Sequence, residues 1–235
     1  MGKIIESFYA ASESLKGILN ASIGSHEELI ADLIYRLEIV SDFETLFTEN
    51  ESVKVWAEVN YDLFSALYLC LNGLYRNAFI SIRSASELGL GYLYFTDFNY
   101  HYLKWKNNKF DLTWASISNE SDGILSNNYL KTFDFADTDY SALIEDYKNV
   151  YRYCSEYVHG KYEFMHTSST SKVVYTETSL ISFIEQFKKL TDALFSLLII
   201  RFREKVKELE EAKFIYLQDV SKKYKLTHLI AEYGK

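Results

Sequence analysis

Arg152, Ser155, Glu156 and His159 lie in one stretch, Asp146 to Gly160, whose apolar spacing predicts a helix stopping at the glycine. At 3.6 residues per turn, Arg152 and His159 are about two turns apart and project within roughly 20° of each other. Ser155 and Glu156, at i+3 and i+4, fall between them on the same face. An arginine fork suits a phosphate or a carboxylate, and a histidine titrating near neutrality can give or take a proton. Glu156 is placed to tune or orient both. On the other side Tyr147, Tyr151, Cys154, Tyr157 and Val158 give the helix a face to bury.

A second polar set precedes this one. From Leu74 to Phe95 the only charged residues are Arg76, Arg83 and Glu87, at i, i+7 and i+11. A charge in so apolar a segment is usually paired or at a site. Arg83 and Glu87 are therefore expected to face the Arg152/His159 helix, with Glu87 orienting an arginine or the histidine; the plainer alternative is an exposed charged stripe. Two glycines interrupt the same helix, Gly89 and Gly91, each costing about 1 kcal/mol against alanine, which predicts a closely approaching helix or ligand.

After His159 the chain enters a polar connection, Lys161 to Thr178. Its run Ser168 to Ser171 makes it a candidate mobile loop, and His166 within it is a candidate second site histidine. Cys70 and Cys154 lie far apart in apolar helical patterns and read as buried thiols. No Cys/His cluster has zinc spacing, so neither a metal nor a cofactor is expected.

The elements that must position these groups read as helices. The chain contains no proline, which removes the commonest helix interruption and favours an all-α fold. An amphipathic helix is expected over 3–20 and another from Ser25 to about Phe47, with His26 in its first turn at the surface, forming an N-terminal hairpin over 1–50. The core bundle, 52–210, contains helices of about 53–71 and 75–96 split at Asn72-Gly73. It continues through a short aromatic helix in 99–108 and short helices over 111–137 with a turn at Asn119 to Gly123. Trp105 and Trp114 there are anchors, with base stacking as the alternative. Thr138 or Asp139 caps the motif helix, and a long helix from Glu177 to about Glu211 ends in a solvated stretch from Arg201. A C-terminal extension, 211–235, is expected to cap the bundle or to meet a second subunit. All of this makes one domain, an antiparallel helical bundle.

Twenty tyrosines and sixteen phenylalanines predict an aromatic core whose hydroxyls need partners. The net charge of −8 argues against binding nucleic acid over a broad basic surface, so any RNA chemistry must rest on a local pocket. The N-terminus meets a charge after two apolar residues, unlike a signal peptide, and the run from Ala193 to Ile200 is too short to cross a membrane. The chain is read as soluble, cytoplasmic and without a membrane partner.

The motif Arg152-Tyr-Cys-Ser-Glu-Tyr-Val-His159, with six residues between arginine and histidine near a helix end and Tyr162 just beyond, resembles the HEPN superfamily. Many of its members are metal-independent endoribonucleases, often toxins or phage-defence effectors. The resemblance implies a HEPN-like helical bundle that pairs two motif helices across a homodimer. In that reading His159 is the acid/base, Arg152 holds phosphate, Glu156 tunes them and Tyr162 contributes a hydroxyl, while Arg83, Glu87, Arg76 and Lys161 bind substrate. It also allows a partner nucleotidyltransferase or antitoxin. Two other readings stay open: a non-catalytic module binding a nucleotide, RNA or a protein, which Tyr153 and the acidic charge favour, and a polar network that only holds helices together.

Overall fold

The computed structural model describes residues 2–49, 51–134, 136–165 and 173–231, and among these every regular element is helical. In chain order they are α1 (Gly2–Ser25), α2 (Glu27–Leu46), α3 (Val53–Leu71), α4 (Tyr75–Asp97), α5 (Asn99–Lys106), α6 (Trp114–Ile117), α7 (Asn127–Phe133), α8 (Ser141–Val158), α9 (Glu177–Val206) and α10 (Glu211–Lys222). None is long and apolar enough to cross a membrane.

The bundle grows outward from the α3–α4 hairpin. Its turn is the expected Asn72-Gly73, where Gly73 takes φ +76° and Leu74 N–H donates back to Leu69 O at 2.9 Å, closing the helix end. Helix α4 then lies between α3 and α8, with α9 packed against both α4 and α8. Trp56, Phe79, Tyr92, Phe95, Phe183 and Phe187 are buried between these layers, so the aromatic abundance of the sequence does fill the core. Both cysteines are buried free thiols there, and burial pushes the pKa of each upward.

Helix α2 is tied to α9 by a buried arginine. Arg36 donates to Asp32 at 3.0 Å, Thr191 at 2.8 Å and Asp192 at 2.6 Å, so the charge is matched where water is excluded.

Several boundaries differ from the expectation. Helix α1 runs past Asn20 to Ser25, because Ser22 is buried and Ser25 meets the Tyr175 hydroxyl at 2.9 Å, and this packing outweighs the local stop signal. Its earlier turns project outward, with Ile5 and Tyr9 exposed. His26, expected at the surface, is half-buried, with Glu177 3.6 Å away. Helix α9 ends at Val206 after a non-helical Phe202. Arg201, read as solvated, instead pairs with Asp97 at 2.7 Å and lies over the Phe133 and Phe202 rings. Thr138 gives its hydroxyl to Asp134, whereas Asp139 accepts the Ser141 N–H at 3.0 Å and so serves the first turn of α8. The C-terminal segment caps the bundle, with Leu226, Leu229 and Ile230 buried.

Candidate functional site

The rotation of α8 is fixed by its buried side. The Tyr147 hydroxyl donates to Ser86 O at 2.7 Å, and both Tyr147 and Cys154 are fully buried. A Cβ on Gly89 would stand 2.5 Å from Leu194 Cδ2 and 3.2 Å from Tyr147 Oη, so the missing side chain is what lets α8 and α9 close on α4. Gly91 likewise makes room for Leu112.

With that side locked, Lys148, Arg152, Ser155, Glu156 and His159 turn toward a cleft of about 590 Å³. Its other wall is Trp114 from α6 and the loop residues Ser118, Asn119 and Glu120, with Tyr151 between the two walls. A second hollow of about 460 Å³ continues along α8 toward Ser141 and shares Glu120, Lys148 and Arg152 with the first. The two make a groove along the outer face of the helix.

Behind the cleft, Arg83 and Glu87 form the α4 side of a four-residue network. Arg83 grips Glu87 through two bonds of 2.9 and 3.2 Å, and donates to Tyr151 Oη at 2.8 Å and Ser155 Oγ at 3.2 Å. Tyr151 in turn donates to Glu87 at 3.0 Å. Burial, and then the Glu87 carboxylate beside it, raise the Tyr151 pKa above the usual phenol value. The expectation that Arg83 and Glu87 face the motif helix therefore describes their place, but they reach the cleft only through Tyr151 and Ser155.

The remaining expected site residues divide. Arg152 and His159 are both exposed and line the same cleft, Arg152 held loosely by Asn149 at 3.3 Å. His159 ends α8, its N–H bonded to Ser155 O at 3.0 Å, and Gly160 follows with φ +63°. Glu156, expected to tune or orient Arg152 and His159, lines the cleft with them. Its Oε2 is buried and paired with Lys161, because the chain reverses at Gly160 and returns the lysine over the last turn. Tyr162, 76% exposed in a short 3-10 turn, does not line the cleft. Arg76 also lies outside it, donating to Tyr157 O at 3.2 Å, where its charge suits the carbonyl end of α8. The candidate His166 and the run Ser168 to Ser171 fall outside the described residues. Tyr153 turns from the cleft to bond the Ser182 hydroxyl of α9 at 2.7 Å.

Six residues of the lining go beyond the expected motif set: Lys148, Tyr151 and Trp114, and the loop residues Ser118, Asn119 and Glu120. Lys148, one turn before Arg152, was available from the same helical spacing. Tyr151, expected on the buried side, sits at the border of both faces. Trp114, expected as an anchor with base stacking as the alternative, comes from a separate element, and no local spacing connects it with α8. Its ring lies on Tyr151 with centroids 3.4 Å apart and planes within 1°. Among the described residues no group of three or more His, Cys, Asp or Glu is arranged to hold a metal ion.

No family model, curated protein or solved structure matches the chain.

Proposed function

We propose that the α8 cleft is the active site of a metal-independent endoribonuclease of HEPN type, working in the cytoplasm as a toxin or phage-defence effector. The observation that carries the reading is that Arg152 and His159, two turns apart, open into one cleft together with Lys148. Cutting RNA requires a base for the 2′-hydroxyl, a cation for the charge that builds on phosphorus, and an acid for the leaving 5′-oxygen.

His159 accepts the 2′-hydroxyl proton as that oxygen attacks phosphorus in line. Arg152 binds the two non-bridging oxygens with its planar fork, and Lys148 adds a second positive charge. The bond to the 5′-oxygen breaks, that oxygen takes a proton, and the products are a 2′,3′-cyclic phosphate and a free 5′-hydroxyl. One α8 supplies one histidine, so the proton for the leaving group comes from the second His159 of a homodimer whose two clefts face each other. Tyr162, exposed three residues past His159, would then contribute its hydroxyl across that interface. A cognate nucleotidyltransferase or antitoxin would hold such an activity in check.

A second reading is favoured by the Lys161 pair that occupies Glu156: a catalytically inactive HEPN-like module that binds a nucleotide, RNA or a protein partner in the same cleft.

Incubating a mixed pool of labelled RNAs with wild type and His159→Ala, with chelator present, separates the two. Cleavage by wild type alone, leaving cyclic phosphate ends, supports the nuclease. Intact RNA after long incubation with a purified dimer that still binds it supports the binding module, and full activity in His159→Ala overturns the role of the histidine.

A further inference from the structure

Beside the cations of the cleft stands an aromatic surface for which RNA cleavage chemistry has no use. Trp114 lies flat on Tyr151, and Tyr147 stacks at a longer 6.4 Å with planes 21° apart. Both tyrosines come from α8, one turn apart. The ring nevertheless lines the cleft and is only half-buried.

The indole is also held in place before any ligand arrives. Thr113 caps its short helix by accepting the Ser116 N–H at 3.3 Å, and Ser118 donates to Trp114 O at 2.7 Å. Tyr151 beneath it is fixed by Arg83 and Glu87. A flat ring backed by Tyr151 and lining a cleft is suited to stacking a base, an interaction that costs little ordering when the platform is rigid.

The polar lining completes the match. Lys148, Arg152 and His159 lie along the α8 wall, where a phosphate would be received. On the opposite wall Asn119 Oδ1 is already taken by the N–H groups of Ser121 at 2.8 Å and Asp122 at 3.2 Å. What Asn119 can offer a ligand is therefore its Nδ2 donor, which suits the ring-nitrogen acceptors on a purine edge. The cleft volume of about 590 Å³ is in the range of small-molecule sites.

We propose that Trp114 is the stacking platform of a purine subsite, and that the cleft takes a purine nucleoside monophosphate unit, either free or within an RNA strand. The inference rests on reading the cleft as a site that handles nucleotides. It adds which part of the ligand is recognised and by which residue. A two-ring base covers more of an indole than a pyrimidine does, so the preference is for adenine or guanine.

Titration of the full chain with 5′-AMP, 5′-CMP, ribose 5-phosphate and an uncleavable 2′-fluoro adenosine hexamer tests it, read by tryptophan emission and by calorimetry. AMP should quench emission to saturation and bind more tightly than CMP or ribose 5-phosphate. Trp114→Phe should abolish the quench, since Trp56 is fully buried and Trp105 packs on Phe95. Trp114→Leu should weaken AMP affinity roughly tenfold or more. Should the leucine variant unfold, Trp114→Phe, which can still stack on Tyr151, decides by its loss of AMP affinity against wild type, and unchanged affinity overturns the subsite.

Equal affinity for AMP and ribose 5-phosphate, a quench that survives in Trp114→Phe, or no AMP binding would overturn the subsite. Hexamer binding tighter than AMP identifies RNA as the source of the nucleotide, and equal binding identifies the free nucleotide. AMP binding without RNA cleavage removes the nuclease reading and keeps the subsite. Cleavage with unchanged KM in both Trp114 variants removes the subsite and keeps the nuclease.

Discussion

The Tyr151 hydroxyl donates to Glu87 Oε1 at 3.0 Å across the α4–α8 interface while accepting from Arg83 at 2.8 Å. Removing it in Tyr151→Phe leaves Arg83 and Glu87 still paired with each other, and their partly exposed side chains can recover a water. The expected cost is about 1 kcal/mol, or a melting temperature lower by about 2–4 °C. Glu87→Ala should cost more, about 2–3 kcal/mol, because Arg83 then loses the carboxylate facing it. Thermal unfolding of the two variants decides: equal losses would show that the charge pair is not what locks α8.

Gly89 fixes how closely α4 approaches α9. Alanine there would gain about 1 kcal/mol of helix propensity, but its Cβ meets Leu194 Cδ2 at 2.5 Å. Leu194 is 1% exposed and Tyr147 is tied to Ser86, so neither neighbour has room to yield. Crowding should win, and Gly89→Ala should be destabilised by about 1–2 kcal/mol net in urea unfolding. A variant more stable than wild type would mean that the helices part more easily than the packing indicates.

Asp134 makes stability depend on acid. Burial works against its ionisation, but hydrogen bonds from Tyr140 at 2.5 Å, the Ala136 N–H at 3.0 Å, Thr138 at 2.8 Å and His228 hold its pKa at about 2, below the ordinary 3.8. A carboxyl with a depressed folded pKa contributes stability that is complete above about pH 4 and lost as pH falls toward 2. After screening, the contribution is on the order of 1 kcal/mol. Melting curves of wild type and Asp134→Asn across that window should differ most at pH 5 and converge near pH 2. Parallel curves would rule out this carboxylate as the source of the acid dependence.

Much of the bundle could be read from spacing. The absence of proline, the Asn72-Gly73 break and the apolar stripe of α8 gave α3, α4 and α8 almost to the residue, because each is set by short-range rules. Arg83 and Glu87 were legible for the same reason, as lone charges on an apolar helix. Where the reading departed, a distant contact decided. The pairing of Glu156 with Lys161 depends on how the chain reverses after Gly160, and the solvated reading of Arg201 gave way to Asp97, which lies on another helix. Trp114 is the extreme case. Thirty-seven positions separate it from Tyr151, and only the packing of α6 against α8 puts the two rings 3.4 Å apart.

Glu120 stands where the two hollows of the groove meet, its carboxylate 3.3 Å from Lys148 Nζ. With its side chain 90% exposed, the pair is weak in itself, but it places a negative charge beside the cation that an incoming phosphate would use. Replacing it by glutamine keeps the shape and removes the charge, so anionic ligands no longer compete with it. Affinity for AMP or RNA should rise about two- to threefold at low salt in Glu120→Gln. The gain should shrink toward nothing at 0.5 M salt, where the Debye length is only about 4–5 Å. Fold stability should be unchanged, since water replaces so exposed a carboxylate readily. The discriminating control is Lys148→Gln, which should weaken binding and make Glu120→Gln inert in the double variant. If Glu120→Gln strengthens binding as much without Lys148 as with it, the carboxylate acts through the general field of the cleft and not through this pair.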